Sequence, residues 1–210
     1  SKPAQLRQIG QQAAQHMRSQ QATLERKKID AQTAKNYSAT LSAHALLNGD
    51  ELAGGFGQQS KFPMPPLLLS LVCELERQPN AKLAAFLQTT LDQMASQGMR
   101  DHLAGGFFRY TVDPNWQTPH FEKMLYDNAQ LAQLYMVASY VFTNERYKKI
   151  AEDTYRFILE SFAADKGGYM ASFSAVDSQG IEGGYYLFDH KILAKAFTAS
   201  ELQAVILAWN

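Results

Sequence analysis

The sequence lacks the features that mark several large classes of protein. Its one cysteine, Cys73, cannot form an internal disulfide, and no set of Cys and His residues has the spacing of a zinc site. The 20 basic residues are balanced by 20 acidic ones, so no positive excess predicts binding to nucleic acid. No apolar run approaches the roughly 18 residues of a membrane span.

The polar, Gln-rich first residues also carry no secretory signal. Together these absences predict a protein of a reducing, aqueous compartment, and we expect the cytoplasm. We expect neither a cofactor nor a metal, and neither a nucleic-acid nor a membrane partner. Cys73 lies in an apolar stretch, where a buried structural thiol is the favoured interpretation.

The residues that are present indicate a folded helical protein. The composition is 46% hydrophobic and 19% charged, as in globular domains. Pro63 and Pro119 suit the first turn of a helix, Thr118 suits the N-cap before Pro119, and Asn80 and Asn144 suit N-caps. The sequence predicts helices over residues 1–29, 35–47, 63–77, 80–97, 119–142 and 144–162, and another from residue 189.

A Gly-Gly-aromatic unit recurs between these helices. It begins at residues 54, 105 and 167, so successive units lie 51 and 62 residues apart. Two helices and one Gly-rich loop per period indicate a helical-hairpin repeat. The alternation over residues 107–112 predicts short β-hairpins in the loops.

The predicted helices alternate in character. Residues 144–162 form an amphipathic helix with an apolar stripe, whereas residues 119–142 are apolar nearly all round. The stripe contains Tyr147, Ile150, Ala151, Tyr155, Ile158 and Leu159. Inner and outer helices of this kind close most economically into a ring. We therefore predict an all-α fold, a partial α/α toroid over residues 31–210, with residues 1–30 as a linker or arm helix.

Four blocks of sequence resemble a known family. They are GGFGQQSKFP at 54–63, DHLAGGF at 101–107, GGFFRYTVDPNWQTPHFEKMLYDNAQ at 105–130 and GGYMASFSAVDSQGIEGGYYLF at 167–188. Over about residues 50–195 the chain resembles the family of spermatogenesis-associated protein 20 and its bacterial relatives. The resemblance implies a thioredoxin-like domain followed by a toroid of six helical hairpins, similar to sugar epimerases and six-hairpin glycosidases.

The chain departs from the family pattern in three respects. It contains no thioredoxin-like domain and no Cys-x-x-Cys, and its length corresponds to about half a toroid. An acidic stretch that is usual in relatives is thinned to the seven residues 174–180, in which Asp177 is the only acid. The resemblance therefore predicts a fragment of the toroid region and leaves the function open.

The richest group of candidate site residues lies between residues 109 and 127. We expect His120, Glu122 and Asp177 to act in acid–base catalysis, and Arg109, Tyr110, Trp116 and Asp127 to bind substrate. His120 follows Pro119 at a predicted helix start, where the positive end of the helix suits a neutral base. The expectation is that Arg109, Trp116 and His120 converge at the rim of the central cavity.

Several of the candidate residues have a structural alternative. Glu122, Lys123 and Asp127 could only pair with neighbouring loops and pin the repeat. Asp177 and Glu182 could be solvated turn residues, and His102 could cap the preceding helix.

Two functions from different classes remain open at this point. One is a carbohydrate-active enzyme, epimerase- or glycosidase-like, that acts on a saccharide or similar polar small molecule. The other is a non-catalytic ligand-binding or scaffold module that works with a thioredoxin-like domain in the full-length protein.

The incomplete ring predicts self-association. Half a toroid leaves the apolar surface of its inner helices uncovered, and exposed patches of this kind drive association. We expect the chain to form a homodimer, or to cover this surface with the helix predicted over residues 1–29. Light scattering at high concentration tests the dimer, and a monodisperse monomer would contradict it.

Overall fold

The computed structural model describes residues 2–22 and 30–209, which divide into two compact units at Thr40 and Leu41. The first unit contains the polar helix α1 (Lys2–Ala22) and the start of α2 (Ala31–Asn48), and the rest of α2 belongs to the second unit. The predicted first helix is thus confirmed over residues 2–22, while its basic residues 26–28 lie outside the described residues. The domain boundary expected after residue 30 stays a prediction.

Two helical hairpins form the centre of the second unit. In chain order the remaining helices are α3 (Pro65–Arg77), α4 (Ala81–Ser96), α5 (Leu125–Val141), α6 (Glu145–Phe157) with a π-helical extension (Ile158–Phe162), α7 (His190–Ala196) and α8 (Ala199–Trp209). Both predicted asparagine caps are confirmed. The Asn80 side chain accepts from the N–H groups of Lys82 and Leu83, and Asn144 accepts from Arg146. No helix in the described ranges is long and apolar enough to cross a bilayer.

Helix α5 is the inner helix of the unit, as its apolar sequence predicts. It packs against α3 and α6, and its Tyr135 is fully buried. The Tyr135 ring stacks on Phe107, and its hydroxyl donates to the carbonyl of Leu91 at 2.7 Å, so the buried phenol is satisfied. Because α5 meets neighbours on more than one side, it could not carry a single apolar stripe.

Helix α6 is the outer helix, but its buried stripe differs in part from the prediction. Tyr147, Ile150, Ala151, Thr154 and Phe157 are buried, whereas Tyr155 and Leu159 are 39% and 60% exposed. Phe157 turns inward because it packs against Gly105 and Gly106 of the second Gly-Gly unit. Gly106 has a φ of 74°, and a side chain there would collide with the Phe157 ring.

Four short strands connect the Gly-Gly loops. Strand β1 (Tyr110–Thr111) pairs antiparallel with β2 (Pro119–His120), and β3 (Lys123–Met124) pairs antiparallel with β4 (Ser172–Phe173). A further bridge joins Lys61 to Thr111. The loop after each of the first two Gly-Gly units therefore contacts the loop after the next unit, as expected for loops that share one side of the helical layer.

The predicted helix start at Pro119 is wrong by six residues. Val112 donates its N–H to Thr118 at 2.9 Å and Arg109 donates to Glu122 at 2.8 Å, so residues 118–122 run beside β1 instead of coiling. Thr118 does not cap a helix, because a strand and not a helix follows it, and its own N–H donates to the Asp113 carboxylate. Helix α5 begins only at Leu125, and His120 is therefore a strand residue.

A buried lysine fastens each of the first two Gly-Gly units, in an arrangement that we call a lysine clasp. Lys61 donates to the Asp50 carboxylate at 2.7 Å and to the carbonyl of Gly54. Lys123 repeats this with Asp101 at 2.7 Å and Gly105 at 2.8 Å. In each clasp the other carboxylate oxygen accepts two backbone N–H groups of the same loop.

The second clasp is the more deeply buried of the two. Burial raises the pKa of Asp101, but the hydrogen bond and charge of Lys123 and two backbone N–H groups outweigh it, so the pKa is lowered. Burial lowers the pKa of Lys123, and Asp101 only partly offsets this. The Lys123 ammonium also lies over the rings of Phe108, Phe157 and Tyr186, at 4.5 to 5.1 Å from the centroids.

Removal of one partner of the second clasp should destabilise the fold strongly. In Lys123→Met the Asp101 carboxylate is left buried without its cation, which costs about 3–5 kcal/mol of unfolding free energy. Urea denaturation measures this cost, and Asp101→Asn in the same chain should recover part of it. Lys61→Met is the matched comparison and should cost less, because Asp50 is 27% exposed. An unchanged midpoint for Lys123→Met would show that the clasp carries no stability.

Candidate functional site

Three rings stack along the first hairpin. The register of β1 and β2 sets Tyr110 opposite His120, so their rings lie on the same face. Their centroids are 4.9 Å apart, and Phe62 stacks on the other side of Tyr110 at 4.5 Å. Phe62 reaches this position because its neighbour Lys61 bridges to Thr111. The stack presents a partly exposed Phe62 ring at one end and His120 at the other.

Glu182 reaches His120 from a loop 62 residues further along the chain. The Glu182 carboxylate lies 2.7 Å from Nδ1 of His120. The loop that carries it is seated by aromatic contacts, since Tyr186 stacks on Phe121 and meets Phe108 edge-on. Gly183 lies against the Phe121 ring, where a side chain would collide. The third Gly-Gly region, residues 167–188, thus places an acid beside a histidine that follows the second Gly-Gly unit.

Glu122 lies between Arg109 and His120. Arg109 Nη1 donates to Glu122 Oε2 at 2.6 Å, and His120 Nε2 is 3.9 Å from the same oxygen. The hydrogen bond and charge of Glu122 raise the pKa of Arg109, so the guanidinium is permanently charged. The side chains of Arg109, His120 and Glu122 are 40%, 26% and 23% exposed, which leaves them open to a ligand.

Asp127 lies in the first turn of α5, where the charges of Arg109 and Glu122 act on it. It is 8% exposed, and burial raises its pKa to about 6. The charge of Arg109 lowers that pKa and the charge of Glu122 raises it, so the three groups influence one another. Arg109, His120, Glu122, Asp127 and Glu182 are called the acid–base cluster below.

Trp116 does not belong to this cluster, contrary to the sequence prediction. It is fully buried, its Nε1–H donates to the carbonyl of Ala53 at 2.9 Å, and its backbone has a φ of 63°. The indole fills the space that Gly55 leaves, because a side chain at Gly55 would collide with it. Trp116 therefore joins the first two Gly-Gly loops and cannot stack on a ligand.

Asp177 is bonded within its own loop. Its Oδ1 accepts the N–H groups of Gln179 at 2.8 Å and Ile181 at 2.9 Å, which is the turn role that the sequence left open. Pinning is likewise confirmed for Lys123, and His102 contacts the carbonyl of Gln97 at the end of α4. From the sequence, Glu182 was expected only as a turn residue like Asp177, and its contact with His120 was not predicted. The one available signal was the Gly-rich turn that returns Glu182 beside Val176.

The acid–base cluster is an open surface site. Three cavities of the described residues lie elsewhere: between α2 and α4, along the charged face of α6, and beside the end of α5. Within residues 2–22 and 30–209, no group of three His, Cys, Asp or Glu side chains could hold a metal ion. The chemistry that the cluster can perform is hydrogen bonding to hydroxyl groups and proton transfer.

Asp127 should make folding stability depend on pH. Its folded-state pKa of about 6 lies above the ordinary aspartate value of 3.8, so between these values the folded chain binds a proton that the unfolded chain has lost. The free energy of unfolding should therefore fall as pH rises from about 4 to 6, by up to about 3 kcal/mol. Asp127→Asn should flatten this slope and stabilise the chain at neutral pH. Urea titrations at pH 4.5 and 7.5 measure both effects, and equal slopes for the two chains would contradict the assignment.

Comparison with solved structures identifies the fold. A sugar epimerase from a ruminal bacterium superposes with a TM-score of 0.58 at 13% identity, covering 73% of this chain and 40% of that one. A family 76 glycoside hydrolase from a bovine Bacteroides thetaiotaomicron strain gives a TM-score of 0.50 at 16% identity, covering 64% and 32%. Both are α/α toroids, so the predicted fold class is confirmed.

Comparison of sequences gives the family. No family model matches the chain. Spermatogenesis-associated protein 20 of Homo sapiens is 36% identical over 154 residues, which cover 68% of this chain. The match spans 19% of the length of that relative, about a fifth. This sequence match and the toroid fold agree with the resemblance that the Gly-Gly blocks indicated. The chain belongs to the family of spermatogenesis-associated protein 20.

Proposed function

We propose that the chain is the part of an α/α-toroid domain that binds a saccharide or a related polyol and transfers protons to and from it. The observation that carries this is the pair of partly exposed groups His120 Nε2 and Glu122 Oε2, 3.9 Å apart. A hydroxyl oxygen can lie within about 2.8 Å of both atoms at once, and it can donate its one proton to either of them. Each group is held in place by a further charged partner, as a proton-transfer site requires.

The remaining members of the cluster have separate roles in this proposal. Arg109 fixes Glu122 through one nitrogen and has further N–H groups to donate to ligand hydroxyls. Asp127, with a pKa of about 6, changes its protonation state near neutral pH and so tunes the charge behind Glu122. The half-exposed Phe62 ring and Tyr110 offer an apolar face on which a sugar ring can stack.

A cytoplasmic location and a role in carbohydrate metabolism belong to the same proposal. The unpaired thiol of Cys73 supports the location. The ring stack and the acid–base cluster support the substrate class, and the sugar epimerase with the same fold supports it by analogy alone.

A non-catalytic module is the second candidate. It is favoured by one observation: Arg109, Glu122, His120 and Glu182 already pair with one another, so no charge in the cluster requires a ligand. In the full-length protein such a module would act with a thioredoxin-like domain.

Binding and turnover should be tested together. We expect one or more of D-glucose, D-mannose, cellobiose and mannobiose to raise the melting temperature of the chain. Proton NMR in D2O should show exchange of a sugar C–H for deuterium if the reaction is epimerisation, or new reducing ends if it is hydrolysis. His120→Gln and Glu122→Gln should each weaken binding by roughly 10- to 100-fold, since each removes the nitrogen or the charged oxygen that accepts a ligand hydroxyl proton.

Glu160→Gln is the matched control, because Glu160 is an exposed acid on the π-helical extension. It should bind as the unaltered chain does. Binding without turnover, unaffected by His120→Gln, would favour the non-catalytic module. The absence of binding to every sugar tested would contradict the proposed ligand class.

A further inference from the structure

We propose that Glu182 is a positioning residue, which fixes the tautomer of His120 so that Nε2 is the atom that exchanges protons. This inference specifies the proton-transfer site and rests on the proposed function for its chemical consequence. The contact that carries it is the 2.7 Å approach of Glu182 Oε1 to His120 Nδ1. The rest follows from which atoms can donate.

An ionised carboxylate can only accept hydrogen bonds, so the short contact requires a proton on Nδ1. The neutral ring must then carry its lone pair on Nε2. When the ring becomes an imidazolium it keeps the same Nδ1–H and gains its second proton at Nε2. Both protonation states thus share one hydrogen bond to Glu182, and only Nε2 changes.

Two further contacts hold the ring and the loop in place. Tyr110 stacks on the imidazole at 4.9 Å with an interplanar angle of 25°, which restricts the tilt of the ring. Tyr186 anchors the loop of Glu182 by stacking on Phe121 at 5.6 Å. The orientation of His120 therefore depends on a loop from the third Gly-Gly region, which supplies no other described acid to it.

The fixed tautomer restricts the chemistry of the ligand. Nε2 of the neutral ring and Oε2 of Glu122 are both acceptors, 3.9 Å apart. A group that satisfies both must bring two donors, as two neighbouring hydroxyls of a sugar or polyol do. In the reaction, Nε2 takes a proton from one hydroxyl: the O–H bond breaks and its electron pair stays on the sugar oxygen as an alkoxide, an N–H bond forms at Nε2, and Glu182 stabilises the resulting imidazolium.

The tautomer can be measured without any ligand. Nitrogen-15 NMR of the imidazole groups should show His120 with a protonated Nδ1 and a bare Nε2 when neutral, in at least about tenfold excess over the other tautomer. His102 serves as an internal contrast, because its Nε2 contacts the carbonyl of Gln97 and must carry the proton. In Glu182→Ala the His120 pattern should move towards the Nε2–H tautomer, and Glu182→Gln should retain part of the original pattern through its carbonyl oxygen.

Gln179→Ala, in the same loop, and Glu160→Gln should leave the His120 pattern unchanged. Backbone amide spectra confirm that each variant is folded, which is expected because Glu182 is half-exposed. A His120 Nε2–H tautomer in the unaltered chain, or an unchanged pattern in Glu182→Ala, would overturn the assignment. If the tautomer is as expected but no sugar binds, the positioning contact stands and the proposed function fails, so the two results are separable.

Discussion

The fold depends on how it satisfies two buried lysine ammonium groups. Burial of an ammonium group costs folding free energy unless its charge is paired and its N–H groups are hydrogen-bonded. In each clasp an aspartate pairs the charge, and the aspartate and a glycine carbonyl accept the hydrogen bonds. The aspartate in turn binds two N–H groups of the Gly-Gly loop, so one lysine fixes the loop conformation as well as the strand that carries it. The helices pack around loops whose conformation is fixed in this way.

The second clasp also sets the position of the acid–base cluster. Lys123 directly follows Glu122 and is three residues from His120, so the clasp holds the backbone from which both project. The rings around the ammonium belong to three segments: Phe108 from the hairpin, Phe157 from α6 and Tyr186 from the loop of Glu182. Glu182 reaches His120 because its loop is anchored on this same aromatic shell. A change at Lys123 would therefore disturb the cluster without touching a ligand.

The sequence predicted the features that local rules control. Asparagine caps, the inner and outer helices and the Gly-Gly loops follow from residues close together in the chain. It failed at residues 119–124, where Pro119 suggested a helix but the backbone pairs with β1 and β4 instead. Trp116 and Glu182 depend on partners 63 and 62 residues away, which no local pattern specifies. The cluster was thus predicted in its membership around residue 120, but without the contacts that give it a geometry.

Internal pairing of the cluster does not by itself decide between a catalytic and a structural role. A residue that only pins a loop has its polar atoms buried and bonded, as Lys123 and Asp101 do. His120 and Glu122 differ, because each has one atom held by a partner and is about a quarter exposed. Nε2 of His120 and the Arg109-bonded Oε2 of Glu122 are too far apart at 3.9 Å for a hydrogen bond to each other, yet one ligand oxygen can lie within reach of both. The space between these two atoms, with Arg109 holding Glu122 and Glu182 holding His120, can admit a ligand, which distinguishes this site from a lysine clasp.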